Sequence, residues 1–468
     1  MNAYADSVQA DPHAPPIDPW HHGQVRLPNK QRRRIGLYVL SATLDAAAIA
    51  TALALSSLLQ FADPFGWQSS RLTGIILPLF LAMAISRGAY SVDALADRAK
   101  GAMRSVLALC LATAITLLIL HQLGALQQFN GWIVAYGIGL AVPMLMLGRS
   151  AIGWVSDWAL ESHPVIHLVI ADGVPVECGP HQVVLNADDA GISPDVSNPR
   201  MLDHLGKLLK NVDRVTIACS PEREADWNLI LRSAGVSGEV RAASQSLPFS
   251  TEPLDIFGER LALLRQPSMQ EIAMKRLMDL MLVVPGLILL APLLIVVSIA
   301  VKLDSPGPVL FVQERIGRGN RLFRMYKFRT MRAENCDGNG DVSTRRDDDR
   351  VTPIGRWLRA TSIDELPQLL NVLLGSMSLV GPRPHALGST ASEKLFWDID
   401  RRYWLRHACA PGLTGLAQVR GFRGATVHSR DLEARLASDL EYMRNWSLWL
   451  DVKIILRTFG VLIHRNAF

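Results

Sequence analysis

The chain has 468 residues, of which 49% are hydrophobic and 19% are charged, and its formal net charge is +5. This composition is unusual for a soluble enzyme and typical of a protein that lies partly in lipid. The positive charge suits an anionic bilayer surface or phosphorylated substrates. We expect no nucleic-acid partner, because the sequence contains no helix-turn-helix pattern, zinc finger or RNP motif.

Four apolar segments dominate the first third of the chain. The preceding residues 1–29 are rich in Pro, Asp and His and have no apolar core, so we expect a disordered cytoplasmic tail rather than a signal peptide. Each apolar segment supplies roughly 20 residues, enough to cross a hydrocarbon core of ~30 Å. The sequence therefore predicts an α-helical four-span bundle over 30–158, the alternative being four buried helices of a soluble protein.

The distribution of lysine and arginine predicts how this bundle is oriented. The run "KQRRR" precedes the first segment, and four basic residues lie just before or at the start of the third. The connection between the third and fourth segments, "HQLGALQQFNGW", has no lysine or arginine. Because cytoplasmic loops carry the excess of these residues, the chain that follows the fourth segment is expected in the cytoplasm.

Residues 159–271 have the pattern of a small α/β domain. "PVIHLVIADG" and "VDRVTIACS" have the composition of buried strands, and "RMLDHLGKLLKN" between them has a helical period. This alternation predicts a Rossmann-like α/β middle domain. No GxGxxG follows the first strand and no GxxxxGK[ST] occurs in the chain, so we predict a structural or regulatory role rather than a nucleotide site.

A fifth apolar run, "MLVVPGLILLAPLLIVVSIAV", is long enough to cross a membrane, but both of its flanks favour the cytoplasm. Lys275 and Arg276 precede it, and eight basic residues against two acidic ones follow between 302 and 332. Pro285 and Pro292 each remove a helical hydrogen bond. We predict a re-entrant membrane helix over about 276–302 that turns near Pro292. A straight fifth span is the alternative.

The stretch "RATSIDELPQLLNVL" places two carboxylates side by side. Ser362 and Glu365 match a capping box, and both acidic side chains would then only complement a helix dipole. In the other interpretation, Asp364 is held ionised at the helix start and attacks phosphorus. Arg359, and Arg383 in "GPRP", are candidate phosphate ligands because guanidinium groups bind phosphate bidentately.

The stretch "YKFRTM" alternates apolar and polar residues and predicts a β-strand. We expect Lys327 and Arg329 to face the site from this strand. A solvated strand face is the alternative.

Five ordered blocks carry a resemblance to a known family. They are "KRLMD", "SPGPVLFVQERIGRGNRLFRMYKFRTM", "TPIGRWLRATSIDELPQLLNVLLGSMSLVGPRP", "PGLTGLAQVRG" and the apolar hairpin between the first two. Over 272–468 the chain closely resembles the bacterial sugar transferases, that is, the monotopic phosphoglycosyl transferases. The four spans and the middle domain resemble the long form of this family, which starts exopolysaccharide or O-antigen repeat units. The closing stretch "EYMRNWSLWLDVKIILRT" most resembles enzymes that prime xanthan- and sphingan-type polysaccharides.

The resemblance implies a mainly α-helical monotopic catalytic domain and a two-step reaction. Asp364 would attack a UDP-sugar and release UMP, and undecaprenyl phosphate would then accept the hexose 1-phosphate, expected to be glucose 1-phosphate. Glu365 would assist, and Mg²⁺ at Asp364 would neutralise the diphosphate. Departures from the family pattern, such as Ala291 and Ala410, do not touch these two carboxylates.

Further expectations from the resemblance concern the membrane. Lys275, Arg276 and Asp279 would orient the lipid phosphate, with ordinary interfacial snorkelling as the alternative. The location would be the bacterial inner membrane, with the catalytic domain on its cytoplasmic face in contact with membrane lipid, and a homodimer is plausible for such interfacial proteins. A catalytically inactive membrane scaffold for polysaccharide assembly is the alternative function.

Overall fold

The computed structural model describes residues 30–160, 164–176, 182–236, 238–242, 269–332, 348–422, 426 and 428–463. The tail predicted at 1–29 lies outside these residues.

Five helices in the described part of the chain are long and apolar enough to cross a membrane. They are α1 Gln31–Phe61, α2 Trp67–Ser86, α4 Arg98–Gln122, α5 Gly131–Leu160 and α8 Met269–Asp304. The short helix α3 Val92–Ala96 lies between α2 and α4. The first four long helices coincide with the four apolar segments of the sequence, which agrees with the prediction of a membrane protein.

A buried polar cluster joins three of these helices. Arg149 on α5 forms an ion pair with Asp45 on α1 at 2.6 Å and donates to Ser105 on α4 at 2.8 Å. Its other terminal nitrogen donates to the carbonyl oxygen of Ala89, and the Tyr90 hydroxyl donates to Asp45. A charge inside a membrane bundle is costly unless it is paired, and this cluster provides the partner that Asp45 needs.

The middle region contains four parallel strands in the order β2-β1-β3-β4. The strands are β1 His167–Ala171, β2 Gln182–Asn186, β3 Arg214–Cys219 and β4 Gly238–Ala242, with helices α6 Pro199–Leu209 and α7 Glu224–Ala234. Asp172, directly after β1, accepts hydrogen bonds from Trp227 and Arg223. Ligands of open parallel sheets bind outside the carboxyl ends of the strands. The Asp172 carboxylate at the end of β1 is hydrogen-bonded to these two side chains of the protein instead.

The region after α8 combines short strands with short helices. The strands are β5 Leu310–Ile316, β6 Leu322–Phe328, β7 Ser378–Val380, β8 Thr390–Ala391, β9 Lys394–Leu395 and β10 Gly412–Thr414. The helices are α9 Pro353–Thr361, α10 Gln368–Leu374, α11 Phe396–Ile399, α12 Leu416–Val419, α13 Ser429–Arg444 and α14 Leu448–Ile463. β5 and β6 form an antiparallel hairpin, and β7 pairs with β10 in parallel.

The helix α8 remains helical through both of its prolines, and both of its halves pack on the same part of the protein. Val283 lies in an apolar cluster with Met325, whereas Val301 lies in one with Phe328, three residues further along the same chain segment. Between them, Leu289 is 81% exposed. Leu287, Leu290 and Leu294 also pack against these two clusters, so one face of α8 follows the body of the protein and the face that carries Leu289 does not.

The middle sheet region and the β5–β6 hairpin are in close contact. A Cβ atom added to Gly206 on α6 would lie 2.1 Å from the carbonyl oxygen of Gly319 in the hairpin turn, so only glycine permits this approach. Asn320 donates to Ser233 on α7 at 2.7 Å. Apolar residues of both regions, including Trp227 and Trp404, form one continuous buried cluster.

Candidate active site

The segment around Asp364 differs from the predicted capped helix. Helix α9 ends at Thr361, and Ser362 follows with a left-handed backbone (φ 57°) and no capping hydrogen bond from its side chain. The predicted Ser362 cap is therefore wrong: Ser362 terminates one helix instead of starting the next. A single 3₁₀ turn, Ile363–Glu365, carries the two carboxylates before Pro367 and the seven-residue α10.

Glu365 is fully engaged by two basic side chains. Both terminal nitrogens of Arg383 reach its carboxylate, at 2.5 Å and 3.3 Å, and the Lys327 ammonium lies 3.0 Å from it. Burial by itself raises the pKa of Glu365, but Arg383 and Lys327 outweigh it and hold that pKa well below its usual range. Glu365 therefore stays ionised, and it closes no capping box.

Asp364 lacks the basic partners that bind the neighbouring Glu365. Its carboxylate forms no hydrogen bond or ion pair with the residues that the structure describes, although only 9% of the residue is exposed. Burial and then the charge of Glu365 raise the pKa of Asp364 to about 6, against the opposing effects of Lys327, Arg359 and Arg383. The expected helix cap and helix dipole are not what sets the charge of this group, because Asp364 lies in a three-residue 3₁₀ turn without a side-chain cap.

Arg359 and Lys327 are brought to the site as predicted, together with Arg383. Arg359 donates from Nε to the Thr330 hydroxyl at 2.8 Å, which holds its guanidinium on the side of α9 that faces β6. It is also close enough to Asp364 to lower the pKa of that carboxyl. Three basic residues from three separate segments therefore surround one carboxylate that has no bonded partner among the described residues.

Arg329, by contrast, is turned away from the site. It is almost fully buried and donates to the carbonyl oxygens of Ser305 and Pro306, where α8 ends. Cations at a helix C-terminus satisfy the carbonyl groups left without intrahelical partners. The expected substrate contact is therefore replaced by a structural role that joins α8 to the end of β6.

The three polar residues at the start of α8 also make internal contacts. Lys275 forms a 2.6 Å ion pair with Asp451 on α14, and Arg276 donates to the carbonyl oxygens at the end of α10. Asp279 accepts from the Ser378 hydroxyl and from the backbone of Leu379. These side chains fasten α8 to the catalytic region, and the structure does not bring them to Asp364. Pro292, expected to turn α8, lies within its continuous helix.

Sequence reasoning missed a second layer of buried and half-buried basic residues behind Arg383. Arg315, Arg406 and Arg435 lie there around His385, and Asp439 is paired with Arg406 at 2.7 Å. These residues come from four separate segments of the chain. No short motif marks them, except that His385 directly follows the "GPRP" stretch.

The donor set fits a single-carboxylate magnesium site. Among the described residues no group of three or more His, Cys, Asp and Glu side chains could hold a metal ion. Mg²⁺ is, however, commonly bound through one or two carboxylates together with substrate phosphates. Asp364 is suited to this because its oxygens are not engaged by described residues, whereas those of Glu365 are.

Comparison with known proteins assigns the second half of the chain to a family. Residues 270–465 match the family model described as bacterial sugar transferase. The chain is 44% identical over 268 residues to an undecaprenyl-phosphate glucose phosphotransferase of Komagataeibacter xylinus, covering 55% of this chain and 50% of that protein. The chain thus spans about half the length of this curated relative.

Two other relatives are matched over more of their length. The exopolysaccharide production protein PSS of Rhizobium leguminosarum bv. phaseoli is 49% identical over 193 residues, covering 41% of this chain and 95% of that protein. A UDP-glucose:undecaprenyl-phosphate glucose-1-phosphate transferase of Caulobacter vibrioides is 50% identical over 195 residues, covering 42% and 72%. The chain belongs to the bacterial sugar transferase family.

Proposed function

We propose that this protein transfers a hexose 1-phosphate from a UDP-sugar to undecaprenyl phosphate, as the first step in building an exopolysaccharide. Glucose 1-phosphate is the proposed group, because the names of the similar proteins of Komagataeibacter xylinus and Caulobacter vibrioides include glucose or UDP-glucose. The observation that carries the proposal is the contrast between two adjacent carboxylates. Glu365 is bound by Arg383 and Lys327, whereas the Asp364 carboxylate is bonded to none of the described residues and lies near three cations.

The proposed chemistry follows from that contrast. A carboxylate oxygen of Asp364 attacks the phosphorus that bears the sugar, the bond from this phosphorus to the bridging oxygen breaks, and UMP leaves with the electron pair. A phosphate oxygen of undecaprenyl phosphate then attacks the same phosphorus and releases the Asp364 carboxylate. The products are undecaprenyl-diphospho-sugar and UMP.

The surrounding residues of this chain stabilise charge and position groups. Arg359, Arg383 and Lys327 lie where negative charge grows on the phosphoryl oxygens during transfer. Glu365 holds Arg383 and Lys327 in place and balances part of their charge. A Mg²⁺ ion held by Asp364 and the substrate diphosphate would neutralise charge on the leaving UMP.

We also propose that α8 enters and leaves the membrane on the cytoplasmic side of the inner membrane. The basic residues on both flanks of α8 support this: Lys275 and Arg276 lie at its start, and eight basic residues against two acidic ones follow between 302 and 332. In this arrangement the domains are the bundle 30–158, the middle domain 159–271 and the catalytic domain 272–468.

The function is tested by measuring UMP release from UDP-glucose, UDP-galactose and the corresponding N-acetyl sugars, using purified protein with undecaprenyl phosphate and Mg²⁺. We expect release with at least one donor and a loss of at least 1,000-fold in Asp364→Asn, because an amide is not a competent nucleophile. Asp349→Asn, an exposed aspartate elsewhere in the same region, is the matched control and should keep full activity. Wild-type rates in Asp364→Asn would refute the proposal and favour a scaffold.

A further inference from the structure

Arg406 is a buried arginine that makes two further contacts in addition to an ion pair. It lies in the 3₁₀ segment Arg401–Ala408 and is 2% exposed. Its ion pair with Asp439, at 2.7 Å, already supplies the opposite charge that a buried guanidinium requires. The same guanidinium also donates to the carbonyl oxygen of Arg383 at 2.8 Å and lies 2.6 Å from Nδ1 of His385. Two of its contacts therefore fall on the stretch that carries the active-site arginine.

His385 is suited to accept the hydrogen bond from Arg406. Burial, followed by the nearby charges of Arg406, Arg435, Arg315 and Arg383, lowers the pKa of His385 far below its usual value, so the ring is neutral. A neutral imidazole has one acceptor nitrogen. Arg406 lies 2.6 Å from Nδ1 and Arg435 lies 3.3 Å from Nε2, so the shorter contact favours Nδ1 as the acceptor. The ring is held in an aromatic cluster by edge contact with Phe396 and by stacking on Tyr403.

The backbone around Arg383 is thereby anchored on both sides. On the preceding side, the Gly412 amide donates to the carbonyl oxygen of Pro382 at 2.9 Å. On the following side, Arg406 holds the Arg383 carbonyl oxygen and the His385 ring. The two flanking prolines restrict the remaining backbone torsions. These contacts fix the position of the Arg383 backbone and thereby the point from which its side chain extends.

The charges behind Arg383 favour one direction for its side chain. Arg315 is half-buried on this side, and desolvation together with the charge of Arg383 lowers the pKa of Arg315 to about 10. A cation at this position repels the Arg383 guanidinium towards Glu365, where it forms its bidentate contact. We propose that Arg406 is a positioning residue for the transfer reaction: it fixes the backbone of Arg383 so that the Arg383 guanidinium meets Glu365 beside Asp364. This inference rests on the proposed function.

Arg406→Lys tests the inference while keeping the charge opposite Asp439. A lysine ammonium lacks the planar fork that reaches three acceptors at once. We expect kcat for UMP release to fall at least 10-fold, with KM for the UDP-sugar changing by less than 3-fold. Arg402→Lys is the matched control, because Arg402 lies in the same 3₁₀ segment and pairs with Asp400. It should retain wild-type kinetics.

The pH dependence of kcat/KM distinguishes a positioning role of Arg406 from a role in folding alone. The charged groups that face Asp364 are Glu365 beside it, Lys327 from β6, Arg359 from α9 and Arg383 after β7. The charge of Arg383 lowers the pKa of Asp364. If Arg383 moves away from Asp364, this effect decreases and the pKa of Asp364 rises. The acid limb of kcat/KM should therefore move to higher pH in Arg406→Lys and stay in place in Arg402→Lys.

His385→Phe provides a second, independent variant that keeps an aromatic ring but removes the acceptor for Arg406. It should lower kcat and move the acid limb in the same direction. An unchanged acid limb in both variants, or activity lost only in proportion to unfolded protein, would overturn the inference. A wild-type protein that releases no UMP from any UDP-sugar would instead overturn the proposed function, and the inference with it.

Discussion

Asp364 and Glu365 are adjacent in the chain, but their surroundings give them opposite titration behaviour. Arg383 and Lys327 bind Glu365 directly, whereas Asp364 is buried next to the charge of Glu365 and has no bonded partner among the described residues. Two carboxylates whose environments separate their pKa values generally perform different roles. Here the lower pKa belongs to the group that organises the cations, and the higher one to the proposed nucleophile.

This difference predicts the pH dependence of the reaction. In the proposed mechanism Asp364 attacks as the carboxylate, so kcat/KM for the UDP-sugar should fall as the pH drops below about 6, the value to which the pKa of Asp364 is raised. Glu365→Gln removes a charge that raises this pKa, and the acid limb should therefore move to lower pH. The measurement is initial UMP release between pH 4.5 and 8.5. A limb that moves upward in Glu365→Gln would contradict this assignment.

At the scale of elements, α1 and α5 bury an ion pair between Asp45 and Arg149. Burying either charge without the other would be costly. Asp45 and Arg149 are both almost fully buried, and Ser105 on α4 completes the cluster. The sequence shows one acidic residue in the first apolar segment and one basic residue near the end of the fourth. Only the packing of these helices identifies them as partners.

Asp45→Asn should leave Arg149 as a buried charge without its counterion. Breaking a buried pair from one side costs roughly 3–5 kcal/mol, so we expect a clear fall in the thermal unfolding temperature in detergent. Asp157→Asn breaks the exposed pair with Arg98 and should change stability by less than about 1 kcal/mol. The double variant Asp45→Asn/Arg149→Leu should recover part of the loss. Equal stability of Asp45→Asn and Asp157→Asn would contradict this role.

At the scale of the whole molecule, the middle region contacts both the catalytic region and the first long helix. The Gly206–Gly319 approach and the Asn320–Ser233 hydrogen bond dock the middle region onto the β5–β6 hairpin. The middle region is in turn linked to the first membrane helix by an ion pair between Arg34 and Asp213 at 2.7 Å. Lys327 lies on the strand that follows this docked turn, so the middle region supports the part of the hairpin that leads to the site.

The proposed path of α8 makes a topological prediction. Single cysteines at Met274 and Leu303, both exposed near opposite ends of α8, should react with a membrane-impermeant thiol reagent only when the cytoplasmic face is accessible. Cysteines at Phe65 and Leu123, in the two connections expected outside the cytoplasm, are the matched controls and should react in intact cells. Reaction of the Leu303 cysteine in intact cells would indicate a straight fifth span. The native cysteines are first replaced by alanine.

The sequence by itself determined the apolar helices, the family and the pair Asp364–Glu365, because hydrophobic length and short contiguous motifs are local properties of the chain. It also identified Arg359, Arg383 and Lys327. Only the tertiary structure decided which basic residues reach the site. Arg329 and Arg276 donate hydrogen bonds to carbonyl groups where helices end. Arg406 contacts residues from segments that are distant in the sequence. A side chain's direction depends on which unsatisfied groups packing brings beside it, and a linear pattern of charge does not contain that information.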